Sequence, residues 1–426
     1  MTSSATPKVV ILGGGFAGLY AAKALRNAPV HVTLVDRRNH HLFQPMLYQV
    51  ATAALSPSDI ASPIRSILRR QKNVDVLLGA ASRIDPTAKT VEFVDGSSIQ
   101  YDYCLVATGA RHSYFGNDQW EGSAPGLKNL EDALAIRRRI LLAFEAAERE
   151  HDLVRRQQLL TFVVIGGGPT GVEMAGAIAE IRRYALRRDF RHIDPRDASV
   201  LLLEGGPRLL TSYPPAQSDW AKQALRQLGV DVRTDTLVTS VDPDAVQAAG
   251  WNIPTRTVVW AAGNTASPLT RSLGAPLDRQ GRVLVTPECT VPGHPDLFVL
   301  GDAAAFEHQG DAILPGICPV AIQMGGYAAR AITRDLAGRS RTPFHYLDKG
   351  QLAVIGRGRA VADIRRFGFH GFSAWLTWIF VHIFFLIGFR NRVLVMLQWA
   401  WSYFTYGLGA RLIYGEASAR PPEPRW

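Results

Sequence analysis

KVVILGGGFAGLYAAKALRNAPVHVTLVD, residues 8–36, decides the fold. KVVIL (8–12) is a β-branched apolar run that stops at Gly13, the pattern of a buried strand. Residues 16–26 have helical composition, and HVTLVD (31–36) reads as a second strand, so one β-α-β unit closes within the stretch. Gly13, Gly15 and Gly18 stand in G-x-G-x-x-G spacing between strand and helix, and Asp36 ends the next strand. The first glycine permits the tight turn, the second lets a pyrophosphate approach the backbone, and the third lets helix pack on strand. The helix N–H groups then face the phosphates, and Asp36 is placed to accept from a ribose hydroxyl. One such match among 38 glycines is weak alone. With strand, helix and acid all in place it reads as a dinucleotide-binding loop.

The pattern restarts. FVVI (162–165) precedes Gly166, Gly168 and Gly171, a helix is expected over 172–187, and SVLLLE (199–204) ends in Glu204. Glu204 follows Gly171 later than the roughly 20 residues of the fingerprint, which a long crossover helix and a loop through Pro195 explain. A carboxylate there favours a free 2′-hydroxyl and repels a 2′-phosphate, hence NADH over NADPH, with Arg208 as an opposing charge. YCLVA (103–107) runs into Thr108-Gly109, and TVVWA (257–261) echoes it at Ala262-Gly263. LFVL (297–300) ends in Gly301-Asp302, where the Asp either reaches a flavin ribityl or phosphate group or caps a helix at 303–306. Residues 89–93 and 99–103 flank Asp95-Gly96 as a hairpin.

Two dinucleotide sites need a division of labour, FAD held at one and NADH docked at the other. The expected fold is α/β: two Rossmann-like dinucleotide-binding domains, the second inserted in the first, plus a C-terminal amphipathic helical membrane-anchoring region. The expected boundaries are 1–125 and 276–345 for FAD, 155–275 for NADH, and 346–426 for the C-terminal region.

Composition narrows the partners. The chain has 426 residues, 47% hydrophobic and 20% charged, which excludes a mainly disordered polymer. Its net charge is +10, and residues 346–426 hold ten Lys/Arg against four Asp/Glu. Such a bias suits nucleic acid or an anionic membrane. No RNP, zinc-finger or OB pattern accompanies it, so nucleic acid is not expected. Cys104, Cys289 and Cys318 are odd in number and far apart, without CxxC or metal spacing, which argues against a disulfide scaffold or a metal site and for a reducing, cytoplasm-facing compartment. MTSSATPK at the N-terminus lacks the apolar core of a secretory signal.

Residues 372–389 contain only Ser373, Thr377 and His382 as polar members. Eighteen residues at about 1.5 Å each would just cross a roughly 30 Å hydrocarbon core. A central His382 and the missing charge-flanked exit favour helices lying in one leaflet, with a true span or a buried or dimer-interface helix as alternatives. The next segment interleaves Gln398 and Ser402 with Trp399, Trp401, Tyr403 and Phe404, as an interfacial helix does. Arg357, Arg359, Arg365, Arg366, Arg390 and Arg392 would face anionic lipid.

Six stretches carry a family resemblance: VVILGGGFAGLYAA (9–22), NHHLFQPMLYQVATAALSPSDIASPIR (39–65), FVVIGGGPTGVEMAGAIAE (162–180), LFVLGDAAA (297–305), PGICPVAIQMGGYAA (315–329) and HIFFLIGFRNRVLVMLQWAWSYFTYGLGARLI (382–413). The chain resembles the type II, non-proton-pumping NADH:quinone oxidoreductases of the two-dinucleotide-domain flavoprotein superfamily. The glycine loops are shared across the superfamily; the other stretches are specific to this family.

The resemblance implies that Gly13, Gly15, Phe16, Ala17 and Gly18 line the FAD pyrophosphate and that Asp36 holds the adenosine ribose. A strand over 76–81 would set the Ala81 backbone at the adenine. Thr108 and Gly109 would close over the flavin, Asp302 would bind its ribityl-phosphate arm, and the Ala321 backbone would touch the isoalloxazine. Gly166, Gly168, Pro169, Thr170 and Gly171 would cradle NADH, with Glu204 on its ribose. Glu173 matches a family glutamate near nicotinamide and flavin; as a residue it equally suits a helix-dipole partner or cap. Pro319 stands where the family has the first of two glutamines, leaving Gln323 as quinone-carbonyl donor or as a helix-face amide bonded to backbone.

The implied protein is a monotopic NADH dehydrogenase on the cytoplasmic face of the cell membrane. It would pass a hydride from NADH to FAD and two electrons on to a membrane quinone, and a homodimer stays open. A sulfide:quinone oxidoreductase, which needs redox cysteines, and a flavin-bearing redox sensor are the rival readings.

Overall fold

The computed structural model describes residues 6–186, 189–308, 312–364, 367–386, 392–397, 399–400 and 410–413. It separates into two compact units, residues 1–42, 61–113 and 264–349 in the first and 43–60, 114–263 and 350–426 in the second.

In the first unit, the strand Lys8–Leu12 lies at the centre of a six-stranded sheet. Thr290–Val291, His294–Val299 and Tyr103–Val106 lie to one side, His31–Asp36 and Val74–Leu78 to the other. All pairings are parallel except the outermost one, Thr290–Val291 with His294–Val299. Val9, Val10, Ile11 and Leu12 are buried on both faces, as their unbroken apolar run requires. The parallel strands Lys8–Leu12, His31–Asp36 and Tyr103–Val106 therefore end at one edge, where ligands of doubly wound sheets bind. The helix Phe16–Ala24 packs against Cys318–Leu336. At Gly325 any side chain would collide with the Ala17 carbonyl, so glycine sets that close approach.

The second unit repeats the plan with four parallel strands in the order Val230–Arg233, Ser199–Leu203, Thr161–Ile165 and Thr257–Trp260. The helix Pro169–Glu180 follows the strand Thr161–Ile165. Tyr114 and Trp120 pack on Trp260 with ring centroids 5.0 and 5.6 Å apart. Burial of such rings is worth about 1.5–3 kcal/mol each. That packing assigns residues 114–125 to the second unit rather than to the expected first domain.

The largest departure from expectation lies after residue 345. Among the described residues of 350–371 there is no helix: Gln351–Gly356, Arg359–Ile364 and Phe367–Gly371 form an antiparallel sheet. The Arg357-Gly358 turn, with Gly358 at φ +67°, makes the hairpin. This sheet packs on the second glycine helix, where the Ile355 carbonyl sits against Gly176. The apolar helix comes next and is short, Phe372–Phe385. Among the described residues, no helix is long and apolar enough to cross a membrane. His382, the polar member that argued against a span, is turned inward, stacked on Trp378 at 4.1 Å with Nδ1 donating to the Trp378 carbonyl at 2.7 Å. Arg365, Arg366, Arg390, Gln398, Trp401, Ser402, Tyr403 and Phe404 lie outside the described residues.

Candidate active site: two nucleotide loops and a carboxyl-lined cavity

Gly13 adopts φ +106° and abuts the backbone of Ala107 and Thr108, a position only glycine fills without strain. Gly15 is the N-cap of the helix Phe16–Ala24, and a side chain on it would meet open space. That is the shape of a phosphate cradle: backbone closed behind the loop and space in front of the helix N-terminus. Asp36 braces the loop, its Oδ2 accepting from Gly14 N–H at 2.6 Å and its Oδ1 from Arg38 N–H at 2.7 Å. His41 holds the other side, Nδ1 donating to the Gly14 carbonyl at 2.9 Å, with its ring edge-on to Phe16 at 5.0 Å. Phe16 and Ala17 are buried in the first turn.

Two buried polar atoms here have no hydrogen-bond partner among the described residues, Nε2 of His41 and Oγ1 of Thr108. Buried polar atoms without partners are rare and call for a ligand or water. With its proton on Nδ1, His41 offers Nε2 as an acceptor. The open front, these atoms and the Asp302 carboxylate, which rests against Gly316, fit a hydroxyl- and phosphate-bearing group such as FAD. Asp302 lies in a short 3₁₀ turn and makes no cap, so the capping alternative is not realised. Gly109 follows Thr108 at φ +67°, and Ala321 lies beside Gly301. The expected strand through Ala81 is corrected: the sheet strand ends at Leu78, and Ala81 opens a separate antiparallel sheet, Ala81–Asp85, Thr90–Phe93 and Ser98–Gln100, closed by the Asp95-Gly96 hairpin. Gly79 and Ala80, lying between the two strands, break the run.

The second loop repeats the geometry. Gly166 has φ +110° against the Ala261 backbone, and Gly168 caps the helix Pro169–Glu180 with open space before it. Pro169 and Thr170 begin the helix, and Gly171 crosses close to the Gly166 carbonyl. Glu204 spans both sides of its loop, Oε2 accepting from Gly167 N–H at 2.5 Å and Oε1 from Gly206 N–H at 2.6 Å. Arg208 is turned away, bonded to the Tyr213 and Thr211 carbonyls. The cation that would favour a 2′-phosphate is therefore occupied elsewhere.

Glu173 is neither cap nor dipole partner, since the first turn of its helix carries no acid. It lines a cavity of about 140 Å³ together with Tyr48, Gln49, Glu180, Trp375, Trp378 and Trp399. Burial pushes its carboxyl up to about 8, opposed by the Val354 N–H at 3.5 Å. Glu180 is likewise raised by burial, and its Oε1 accepts from Arg357 N–H at 2.6 Å. Two carboxyls on one helix, held towards their neutral form by burial, are unusual in a cavity wall. Tyr48, Gln49 and Trp378 were not singled out by sequence reasoning; the signal for the first two is that 39–65 is a family-specific stretch, and for Trp378 that it lies in the apolar run 372–389.

Gln323 sits half-buried on the helix Cys318–Leu336, with Nε2 donating to the Leu347 carbonyl and Oε1 accepting from Leu347 N–H, both at 2.9 Å. Its amide is committed to backbone, the second of the two readings of this residue. Cys104 and Cys289 are buried, and burial raises both thiols well above their ordinary value, a poor setting for a thiol relay.

Comparison with known proteins decides the family. Residues 7–325 match the pyridine nucleotide-disulphide oxidoreductase family model, and residues 349–406 match the NDH2 C-terminal domain. The chain is 45% identical over 411 residues to the type II NADH:quinone oxidoreductase Ndh of Mycobacterium tuberculosis, covering 93% of this chain and 88% of that protein. The chain belongs to the type II NADH:quinone oxidoreductase family. NdhA of the same organism is 44% identical over 413 residues, covering 93% of this chain and 87% of the relative. In fold, it resembles NDH2 from Plasmodium falciparum in complex with NADH, with TM-score 0.88 at 19% identity over 96% of this chain and 100% of that one. A sulfide:quinone oxidoreductase from Aquifex aeolicus is less similar, with TM-score 0.73 at 20% identity over 91% of this chain and 92% of that one. Type II oxidoreductases are FAD-dependent NADH dehydrogenases, and such an enzyme needs two nucleotide sites.

Proposed function

We propose that this chain oxidises NADH at the second glycine loop and reduces a membrane quinone at the Glu173 cavity, with FAD held by the first loop. The net reaction takes NADH, one proton and quinone to NAD⁺ and hydroquinone. Bound FAD supplies the two-electron chemistry that no side chain can provide. The chain's own residues bind, orient and hold protons. The helix N-termini behind Gly15 and Gly168 receive the two pyrophosphates. Glu204 braces its loop, retains lone pairs for the ribose hydroxyls, and rejects a 2′-phosphate by charge. Glu173, with its carboxyl near 8, carries a proton at neutral pH and is placed to deliver it to a quinone oxygen, while water restores it. A cavity of about 140 Å³ is close to the roughly 150 Å³ that admits a benzene-sized ring.

Quinone dissolves in lipid, so the enzyme works at a membrane surface, and we place it at the cytoplasmic face. The helix Phe372–Phe385 supports this: Phe372, Leu376, Phe380 and Phe384 recur every fourth residue and are exposed, Phe380 by 72%. Side chains four apart share one helix face, so the four form an apolar stripe suited to one leaflet. The observation that carries the reading is the pair of braced, open-fronted glycine loops within one family member. The test is the visible spectrum of the purified protein. A flavin band that NADH bleaches under nitrogen and a quinone restores supports the reading; a colourless protein, or a bleached one that quinone leaves bleached, overturns it.

A further inference from the structure

The cavity beside Glu173 contains, besides its two carboxyls, donors whose hydrogens have no acceptor among the described residues. Trp399 Nε1–H donates to Gln49 Oε1 at 2.8 Å. An indole nitrogen can only donate, so the Gln49 amide is oriented with its oxygen towards Trp399. Gln49 Nε2 then donates to Tyr48 Oη at 3.0 Å. With Gln49 donating to it, Tyr48 must point its own hydrogen elsewhere, and that hydrogen has no acceptor among the described residues. Trp378 is 2% exposed, and its Nε1–H is buried with no partner among the described residues. Tyr48 and Trp378 both line the cavity, their ring centroids 6.4 Å apart. A buried donor left unsatisfied costs about 1–3 kcal/mol. Two of them in one small cavity call for an occupant with at least two acceptor oxygens.

We propose that Tyr48 and Trp378 donate hydrogen bonds to the two carbonyl oxygens of the quinone, and that Gln49 and Trp399 lock Tyr48 as a donor. The inference rests on the quinone-reducing function proposed above. It also gives the site a direction. A quinone offers only acceptors to these groups, whereas hydroquinone brings hydroxyl hydrogens towards N–H and O–H donors. The oxidised form is held more tightly than the reduced one, so product leaves as it forms. Burial keeps the Tyr48 phenol protonated, and Glu173 remains the proton source.

The test uses full-length, flavin-loaded Tyr48→Phe, Trp378→Phe and Trp399→Phe, with a short-chain ubiquinone and, separately, ferricyanide as acceptors. Loss of one hydrogen bond should raise the quinone KM about tenfold in Tyr48→Phe and Trp378→Phe. Trp399→Phe should raise it less. Anaerobic bleaching by NADH and ferricyanide turnover should stay at the wild-type rate in all three. Equal quinone KM values in wild type and Tyr48→Phe would overturn the inference. So would ferricyanide and quinone rates that fall together in that variant, which marks a structural role; Tyr48→Phe decides the matter should Trp378→Phe fail to fold. If wild-type protein bleached by NADH is not reoxidised by ubiquinone, the proposed function fails instead.

Discussion

His41 and Gly14 are joined by a 2.9 Å hydrogen bond from the imidazole Nδ1–H to the loop carbonyl. Asp36 grips the amide of the same glycine, so both polar groups of the loop's central residue are held by side chains. Replacement of His41 by Leu removes one grip and the free Nε2. FAD affinity should fall about tenfold, the value of one hydrogen bond, read as released flavin fluorescence on dilution. Unchanged flavin retention would show that Asp36 alone sets the loop.

The same histidine predicts an acid-sensitive fold. Burial lowers its pKa from 6.5 to about 4. Between those values the unfolded chain takes up a proton that the folded chain refuses. The His41 contribution is therefore complete above pH 6.5 and lost as pH falls towards 4. The wild-type melting temperature should decline over that window more steeply than that of His41→Leu.

Glu204 has two tasks, and they separate. In Glu204→Gln the side chain retains one acceptor oxygen for the loop but loses its charge. The ratio of kcat/KM for NADH over NADPH should fall by at least tenfold, and the one loop N–H left facing the new amide nitrogen should cost about 1–3 kcal/mol. Glu204→Ala also strips the bonds to Gly167 and Gly206 and should cost a further roughly 1–3 kcal/mol of stability. A nucleotide preference untouched by either change would sink the ribose role.

Burial raises the Glu173 carboxyl from 4.5 to about 8. The proton it offers is present below that value and lost above it, so quinone reduction should decline as pH rises through about 8. Glu173→Gln should be slow and flat across the same range. Folding of the wild type also becomes less favourable from pH 4.5 up to about 8, since the folded carboxyl holds a proton that the unfolded one has released. A wild-type rate profile without a limb near pH 8 would refute the proton role.

The stripe on the helix Phe372–Phe385 makes a membrane prediction. Phe380→Asp with Phe384→Asp should release the protein from vesicles of mixed neutral and anionic lipid, read by co-sedimentation. NADH:ferricyanide turnover should be unaffected. Each buried Phe contributes about 1.5–3 kcal/mol, so loss of two lowers partitioning by at least a hundredfold. Persistent binding would place the membrane surface elsewhere.

Much of the fold was legible because it is written in short-range pattern. The glycines, the apolar strands and the terminal acids Asp36 and Glu204 are local in sequence, and the physics of a β-α-β turn leaves little choice about where they go. The C-terminal sheet was missed although AVIGRGRAVADI carries a hairpin pattern, because its charge and neighbouring apolar run point to lipid instead. Gln323 was legible as a residue but not as a contact, since its partner, the Leu347 backbone, is set by the path of the chain after its helix.

By itself the sequence determined two nucleotide loops, their order, and a greasy cationic C-terminus, since each needs only neighbours along the chain. Tertiary structure alone decided what the cavity is made of. Gln49 and Trp399 lie 350 residues apart, and no local pattern announces that bond. Nor does one tell that a glutamate on an ordinary-looking helix will be desolvated: a pKa is set by whatever surrounds the group in space.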